Sequence, residues 1–341
     1  VDGLRGAWSL AISPDAEGNF LYATSQYDDA VAVFTRDSTT GGLSYVDLLR
    51  DSTGGVDGLD EAEHVAVSPD GAHVFVTGKG DNALAVFRRD PGTGDLAFVE
   101  SHRDNEAGID GLAGIDFVAV APDGAHVYVA ATDDHAVSVF ERDPVTGALT
   151  LVQTLRDGSG GVDGLSGATA VAISPNGSHV YVGGANDSAV AVFARNASSG
   201  ELAFVEILKD GVGGVDGLAY VSDVTVAPDG NHVYVVGMVD NAVAVFARDT
   251  TTGRLTFSQV LKDGTGSIDG LGGAYSVVVA PDGLHVYVAG YSDHALAAFA
   301  RDPGSGQLTF LQVFQDGLDG VNGLRYVTDV QISPDGQHLY T

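Results

Sequence analysis

The chain alternates short runs suited to extended strands with polar turns from one end to the other. In the second repeat unit these runs occupy Val65–Val67, His73–Val76, Ala83–Phe87 and Leu96–Val99, and Pro69–Gly71 forms the first turn. Alternating Val, Ile, Phe and Tyr favour strands, and the turns contain the proline, glycine and asparagine that tight turns need. The pattern therefore predicts four short strands in each unit and an all-β fold.

The unit repeats with a nearly constant period. The tetrapeptide Val-Asp-Gly-Leu, or a close variant, begins at residues 1, 56, 109, 162, 215, 268 and 321, and the spacing is 53 residues except for the first, which is 55. Four strands repeated at such a period are typical of the blades of a β-propeller. We therefore predict a single propeller domain over residues 1–341. It has seven repeat positions, of which the last ends at Thr341 and is incomplete.

Two sets of residues resemble known repeats. Ala66–Gly71, His73–Val76 and Asn82–Phe87 together resemble the YVTN-type propeller repeat. Arg142–Thr150 is similar to the corresponding stretch of the seven-bladed lactonase family, which includes bacterial 6-phosphogluconolactonases. The likeness extends over essentially the whole chain and implies that fold, with lactone hydrolysis as the associated activity. These residues build blades and are shared by unrelated propellers, so the resemblance bears on the fold more than on the activity.

Composition narrows the range of partners. The chain has 46 acidic and 16 basic residues, a formal net charge of −30, and no cysteine. A surface this negative repels phosphate backbones, so we expect no nucleic-acid partner, and we expect no membrane insertion. Without cysteine there is no thiol nucleophile or thiolate metal site. We expect a secreted, periplasmic or cell-surface protein, although the given chain contains no recognisable signal peptide or transmembrane segment.

Positions that differ between repeats indicate where the propeller is specialised. The first strand of each blade lines the channel of a propeller, and ligands bind at the loops on one face. The residues five, six and eight before each turn proline diverge there, whereas Val65 and its counterparts hardly vary. Aromatic and polar side chains of this kind suit a carbohydrate, peptide or small molecule. The candidate ligand-binding residues are Trp8, His64, Asp116, Phe117, Tyr220, Asp223, Tyr275, Tyr326 and Asp329.

Lactone hydrolysis would need a base that activates water and a cation or donor that stabilises the oxyanion. The candidates are Glu63 or His64 as the base and Arg5 or Arg325 as the stabilising cation. Glu63 and His64 are neighbours in an extended strand and should point to opposite sides, so we expect them not to act together. The sequence contains no Gly-x-Ser-x-Gly or His-Glu-x-x-His motif.

The loops between repeats are rich in aspartate, which is a ligand that Ca²⁺ prefers. The candidate metal ligands are Asp57, Asp110, Asp163, Asp216 and Asp269. No loop matches the EF-hand spacing, and Asp-Gly pairs are also ordinary turn residues whose carboxylates cap backbone N–H groups. We therefore expect no required cofactor and keep Ca²⁺ as an alternative at these loops.

Near-identical repeats favour a binding function over catalysis, because an active site usually needs one asymmetric cluster. Our leading hypothesis is a non-catalytic extracellular or surface propeller that binds a ligand or partner at the channel mouth. The alternative is a lactonase-like hydrolase acting at the central channel. A second alternative is a structural module of a larger extracellular repeat protein.

Overall fold

A computed structural model describes residues 3–341, and the first repeat begins with Val1 and Asp2, which lie outside the described residues. The described chain is an all-β propeller of four-stranded blades, each an antiparallel sheet in which every strand pairs with the next along the chain. Residues 3–341 contain six such blades followed by one two-stranded pair. The prediction of four strands per unit is therefore confirmed for six repeats, whereas the seventh position holds two strands only.

The strands follow one another with the same order in every blade. The first three blades comprise β1 (Ala7–Ile12), β2 (Phe20–Ser25), β3 (Ala30–Arg36), β4 (Leu43–Arg50), β5 (Ala62–Val67), β6 (His73–Gly78), β7 (Ala83–Arg89), β8 (Leu96–Arg103), β9 (Ile115–Val120), β10 (His126–Ala131), β11 (Ala136–Arg142) and β12 (Leu149–Arg156). The next three comprise β13 (Ala168–Ile173), β14 (His179–Gly184), β15 (Ala189–Arg195), β16 (Leu202–Lys209), β17 (Val221–Val226), β18 (His232–Gly237), β19 (Ala242–Arg248), β20 (Leu255–Lys262), β21 (Ala274–Val279), β22 (His285–Gly290), β23 (Ala295–Arg301) and β24 (Leu308–Gln315). The final pair comprises β25 (Gln331–Ile332) and β26 (Leu339–Tyr340).

The described chain divides into two compact units. The first contains the described residues up to Arg156, with Ala197–Glu201 and Gln331–Tyr340. The second contains Asp157–Asn196, Leu202–Val330 and Thr341. A single domain over residues 1–341 stays a prediction. Among the described residues, no helix is long and apolar enough to cross a membrane.

The second and third strands of each blade supply most of the core. Every residue of β6 is buried, whereas β8, at the outer edge of the same blade, is half-buried along most of its length. In the first unit, Val74 and Val76 of the second blade form one core with Tyr22 and Val33 of the first. Alternating apolar residues thus bury both faces of a blade against its neighbours. Within each unit the first strands of successive blades lie side by side.

A β-bulge interrupts the first strand near its start. In β5 the register with β6 shifts between Ala62 and Val65, so Glu63 and His64 fall outside the regular pairing. In β9 the shift leaves out Asp116. Bulges bend a strand, redirect side chains and are frequent beside functional sites. The positions at which the repeats diverge in sequence are therefore also positions at which the hydrogen-bond ladder is irregular.

A buried polar cluster between neighbouring blades explains the histidine found in most repeats. Arg142 of the third blade lies with a guanidinium nitrogen 2.8 Å from His73 Nδ1 of the second blade, and its Nε donates to the Gly124 carbonyl at 2.6 Å. It also forms an ion pair with Asp70. A Cβ atom on Gly147, which has a φ of +84°, would lie 2.3 Å from the His73 ring. The histidine is therefore a packing element, and the glycine opposite it cannot be replaced without movement.

These histidines should make the fold sensitive to acid. Burial and a neighbouring arginine lower the pKa of His73, His179 and His232 below 6.5. The native state then binds fewer protons than the unfolded state, so the stabilisation is complete above pH 6.5 and is lost as the pH falls through the native pKa. We expect the urea midpoint to fall steadily below pH 6.5. His179→Asn should weaken that dependence, whereas His285→Asn should not, because the His285 side chain is 41% exposed. Equal slopes for both variants would contradict this.

The final strand pair contacts the first blade within the first unit. Arg36 of β3 donates through Nε to the Tyr340 hydroxyl at 2.7 Å, lies 2.7 Å from His338 Nδ1 and forms an ion pair with Asp335 at 3.2 Å. A tyrosine, a histidine and an aspartate surround Arg301 in the same way. Arg301 belongs to the sixth blade and its three partners to the fifth. The β25–β26 pair therefore makes the same contacts with the first blade that the fifth blade makes with the sixth.

Candidate functional site

The bulges of the second and third blades bring three charged side chains together in the first unit. Lys79 follows β6, and its Nζ lies 3.1 Å from Glu63 Oε2 and 2.8 Å from Asp116 Oδ1. The Glu63 residue is only 2% exposed. The side chains of Lys79 and Asp116 are 32% and 20% exposed, so solvent reaches both. We call Glu63, Lys79 and Asp116 the charged cluster.

Glu63 keeps its proton in this environment. Burial, and then the neighbouring Asp116 carboxylate, raise the pKa of Glu63 well above its usual range. Burial alone would lower the pKa of Lys79, but the carboxyl groups of Asp116 and Glu63 raise it. These shifts favour the neutral form of the Glu63 carboxyl group and the charged form of the Lys79 ammonium group. Opposed protonation states of this kind let neighbouring groups serve as acid and base.

Residues of the first blade hold Glu63 in place. Gln26, which follows β2, donates through Nε2 to Glu63 Oε1 at 3.3 Å. Thr24 of β2 donates through its hydroxyl to the Glu63 backbone carbonyl at 2.6 Å. The charged cluster is thus supported by three successive blades of one unit.

The other candidate site residues that the sequence predicts in the first unit are not members of the charged cluster. His64 stacks on Phe117 with the ring centroids 3.7 Å apart, and its backbone N–H donates to Thr77 Oγ1 at 2.8 Å. Glu63 and His64 therefore contact different partners. Arg5 donates to the Tyr27 carbonyl at 2.6 Å and lies 3.6 Å from Asp28, and the half-buried Trp8 lies on β1.

In the second unit, Asp223 and Asp329 are bound mainly by backbone groups. Asp223 accepts hydrogen bonds from the backbone N–H groups of Val224 and Val277, and the Ser276 hydroxyl donates to Asp329 Oδ1 at 3.1 Å. Burial, with a contribution from Asp329, raises the pKa of Asp223 to about 7. No lysine or arginine forms an ion pair with Asp223 within residues 3–341. Asp223 therefore lacks, among the described residues, the adjacent ammonium group that distinguishes the charged cluster.

The tyrosine candidates of the second unit separate into two groups. Tyr275 and Tyr326 both contact Tyr291, with centroid distances of 5.9 and 5.2 Å, and the Arg325 guanidinium lies 5.3 Å from the Tyr326 centroid. Tyr220 is 44% exposed, and its backbone N–H donates to Ser188 Oγ at 3.3 Å. Tyr220 has no aromatic ring contact in the part of the chain that the structure describes.

Each candidate metal ligand lies in a triad of carboxylates whose oxygens are within 4.8 Å of one another. The five triads found in the described residues are Asp51, Asp57 and Asp81; Asp104, Asp110 and Asp134; Asp157, Asp163 and Asp187; Asp210, Asp216 and Asp240; and Asp263, Asp269 and Asp293. In four of them a basic residue from the end of a fourth strand pairs with two of the carboxylates. These residues are Arg103, Arg156, Lys209 and Lys262.

The last triad has Gln315 where the others have a cation. The Gln315 side chain donates to the Asp293 backbone carbonyl at 3.3 Å. Burial and the repulsion from Asp293 and Asp269 raise the pKa of Asp263.

Calcium binding at the triads stays a prediction. A melting temperature that is unchanged by excess EGTA and by added CaCl₂ would contradict it.

Gln315→Lys should stabilise the protein by supplying the cation that the last triad lacks. We expect a gain of about 0.5 kcal/mol in the free energy of unfolding, because partly exposed ion pairs contribute this much. The gain should disappear at about 1 M NaCl, where the Debye length is about 3 Å. Gln312→Lys adds the same charge on β24 outside the triad and serves as the control in thermal melts. Equal shifts for both variants would contradict the expectation.

The structure adds two residues that the catalytic candidates lacked. Lys79 and Gln26 occupy the same repeat position, where the other repeats have Thr, Ala, Met or Tyr. Lys79 is one of only three lysines in the chain, so its appearance at a divergent position could have identified it. Its partner Asp116 was predicted as a ligand-binding residue.

One curated relative matches part of the chain. It is a protein of Arthroderma benhamiae named "Probable 6-phosphogluconolactonase", and the identity is 33% over 102 residues. The match covers 28% of this chain and 24% of that protein, so the chain spans about a quarter of the relative's length.

Solved structures match over most of the chain. A provisionally named 6-phosphogluconolactonase of Bacteroides fragilis has a TM-score of 0.73 at 20% identity and covers 92% of this chain and 85% of its own. The periplasmic gluconolactonase of Pseudomonas aeruginosa has a TM-score of 0.72 at 22% identity and covers 91% of this chain and 86% of its own. At these identities the likeness shows the fold.

The family comparison corrects our functional hypothesis. The family described as "Lactonase, 7-bladed beta-propeller" matches residues 6–165, 113–259 and 223–319 in overlapping segments, as repeats do. The resemblance to lactonase-type repeats is thereby confirmed. The relatives are named as lactonases, so the hypothesis of a non-catalytic binding propeller is wrong. The chain belongs to the lactonase family of seven-bladed β-propellers.

Proposed function

We propose that this protein hydrolyses a lactone and that the charged cluster of Glu63, Lys79 and Asp116 performs the reaction. The observation that carries the proposal is the contact of Lys79 Nζ with both the buried Glu63, at 3.1 Å, and Asp116, at 2.8 Å, together with the raised pKa of Glu63. The repeats other than the second and third have Trp, Thr, Ser or Tyr at the position of Glu63. This combination of charges therefore supplies the asymmetry that an active site requires.

The three groups have complementary roles in the proposed reaction. Asp116 accepts a proton from water as the water oxygen bonds to the lactone carbonyl carbon, and Lys79 stabilises the negative charge on the carbonyl oxygen. As the ring C–O bond breaks, Glu63 donates its proton to the departing alkoxide. Proton transfer from Asp116 to Glu63 restores the cluster, and the product is a hydroxy acid.

This assignment changes the roles expected from the sequence. Glu63 was a candidate base, but its raised pKa makes it the proton donor, and Asp116 takes the role of the base. Arg5 was a candidate for the stabilising cation, but it pairs with Asp28, whereas Lys79 contacts both carboxyl groups of the cluster. His64 stacks on Phe117, which suits a wall of the site rather than the base.

A panel of lactones tests the proposal. Proton release should be measured for glucono-1,5-lactone, its 6-phosphate and an aliphatic lactone, with spontaneous hydrolysis subtracted. The names of the relatives lead us to expect turnover of a gluconolactone, either unphosphorylated or as its 6-phosphate. Activity should decline as the pH rises through the raised pKa of Glu63, because the donor then loses its proton, and Glu63→Gln should abolish this decline along with most of the activity. The absence of turnover with every lactone would refute the proposal.

We further propose that residues 321–341 occupy a seventh blade position, of which β25 and β26 form a part. The contacts of Arg36 with Tyr340, His338 and Asp335 support this, because they repeat the contacts between complete blades. Arg36→Met should therefore release the strand pair, with faster amide hydrogen exchange at Ile332 and Leu339. Unchanged exchange would contradict the assignment.

We also propose that the protein acts outside the cytoplasm. Its likeness to a protein named as a periplasmic gluconolactonase supports this location. Fractionation of the native host with an antibody to the chain tests it, and recovery in the cytoplasmic fraction alone would contradict it.

A further inference from the structure

The second unit has a row of three tyrosines, one exposed and two half-buried, that the proposed hydrolysis does not use. Tyr275 of β21, Tyr291 after β22 and Tyr326 before β25 follow one another with centroid distances of 5.9 and 5.2 Å. Tyr326 is 48% exposed, and the His294 ring packs edge-on against it with the centroids 4.4 Å apart. We call Tyr275, Tyr291 and Tyr326 the tyrosine row.

The backbone holds Tyr326 in a conformation that tyrosine rarely adopts. Its φ is +57°, and four of the other repeats have glycine at this position. Its N–H donates to His294 Nδ1 at 3.1 Å, as the Gly273 N–H donates to Asn241 Oδ1 at 2.7 Å one repeat earlier. A bulky residue in the left-handed region is strained, and such strain is concentrated at functional sites. Tyr220 has the same φ of +58°, so the feature that distinguishes Tyr326 is its ring contacts with Tyr291 and His294.

The positive charge of Arg325 beside the tyrosine row indicates the charge of the ligand that would bind there. The Arg325 guanidinium lies 5.3 Å from the Tyr326 centroid, and no carboxylate within residues 3–341 lies within 4.0 Å of it. This is notable in a chain with a net charge of −30, in which Lys209 and Lys262 each pair with two carboxylates. An exposed guanidinium is complementary to a carboxylate on a ligand and disfavours a cationic one.

We infer that the tyrosine row binds a sugar ring that bears a carboxylate, such as a uronic acid. The C–H groups of the sugar ring pack on the tyrosine rings, the phenol groups hydrogen-bond to sugar hydroxyls, and Arg325 pairs with the sugar carboxylate. The overall negative charge of the protein opposes an anion at long range. At physiological ionic strength the Debye length is about 8 Å, so the nearby arginine outweighs distant carboxylates. This binding is independent of the hydrolysis at the charged cluster.

Titrations with glucuronate and glucose test the inference. Saturation-transfer NMR at physiological salt should show binding of glucuronate to the wild-type protein and about tenfold weaker binding of glucose, because a charge-assisted pair is lost. Tyr326→Gly should weaken the binding of glucuronate and of glucose by at least about tenfold each, because the stacking surface is lost. This variant should fold, since glycine suits the φ of +57°. Arg325→Gln should reduce glucuronate binding to the level of glucose and leave glucose unchanged.

Tyr220→Gly is the matched control. Tyr220 occupies the same repeat position with a φ of +58° but lies outside the tyrosine row, so the variant should bind both sugars as the wild-type protein does. The inference is overturned if glucuronate does not bind, if Tyr326→Gly binds it normally, if Tyr220→Gly weakens it equally, or if glucosamine binds more tightly than glucuronate. A proline-rich peptide that displaces the sugar and binds more tightly also overturns it.

Discussion

Lys79→Met should reduce the kcat of lactone hydrolysis by about 10²- to 10³-fold, because loss of one oxyanion-stabilising group typically has an effect of this size. Methionine preserves most of the side-chain volume and removes only the charge that contacts Glu63 and Asp116. The melting temperature should change little, since water reaches Asp116. Initial rates of proton release under saturating lactone give kcat directly.

Lys262→Met is the control for this experiment. Lys262 also bridges two carboxylates, Asp216 and Asp240, with Nζ to oxygen distances of 2.7 and 3.3 Å, but it belongs to a carboxylate triad that recurs from repeat to repeat. Its removal should leave kcat within about twofold of the wild-type value. If the two lysine variants lose the same activity, Lys79 has no special role.

Arg142→Met should reduce the free energy of unfolding by about 3 kcal/mol, because three hydrogen-bond partners, two of them buried, lose their donor at once. The guanidinium contacts His73, the Gly124 carbonyl and Asp70, and its side chain is only 2% exposed. Ser68 and Arg142 also lower the pKa of Asp70, although burial acts in the opposite direction. Urea unfolding at neutral pH measures the loss.

Arg88→Met provides the comparison for the stability experiment. Arg88 lies on β7 with its side chain exposed, next to Arg89, which is the counterpart of Arg142 in the second blade. Exposed substitutions of this kind usually change stability by less than about 0.5 kcal/mol. Similar urea midpoints for the two arginine variants would show that the cluster between the blades does not stabilise the fold.

The repeated features of the fold could be predicted from the sequence, because the same turn residues and the same alternation of apolar residues recur in every blade. The turn at Pro69–Gly71 and the alternation in Ala83–Phe87 specify strands locally, and the period of 53 residues specifies blades. The histidine that recurs in most repeats, represented by His73, contributes to the fold through its contact with Arg142 of the next blade. Residues 3–341 form six complete blades and one strand pair, and a seventh blade position stays a proposal.

The candidate site was less predictable because it depends on contacts between blades. Glu63 and Asp116 lie at bulges, and the alternation of an ideal strand does not predict where a bulge directs a side chain. Lys79 was visible as a divergent residue, but its distance from Asp116 appears only once two blades are packed together. Burial then changes Glu63 from a candidate base into a proton donor, which a sequence alone does not reveal.

The most direct test is the kcat/KM of Asp116→Asn for a sugar lactone, measured beside Glu206→Gln. Glu206 is a partly buried carboxylate of the second unit that pairs with Arg254 at 2.6 Å. If Asp116 is the base that activates water, Asp116→Asn should lose at least about 10²-fold in kcat/KM while Glu206→Gln retains the wild-type value. Wild-type kcat/KM in the Asp116→Asn protein would contradict hydrolysis at the charged cluster.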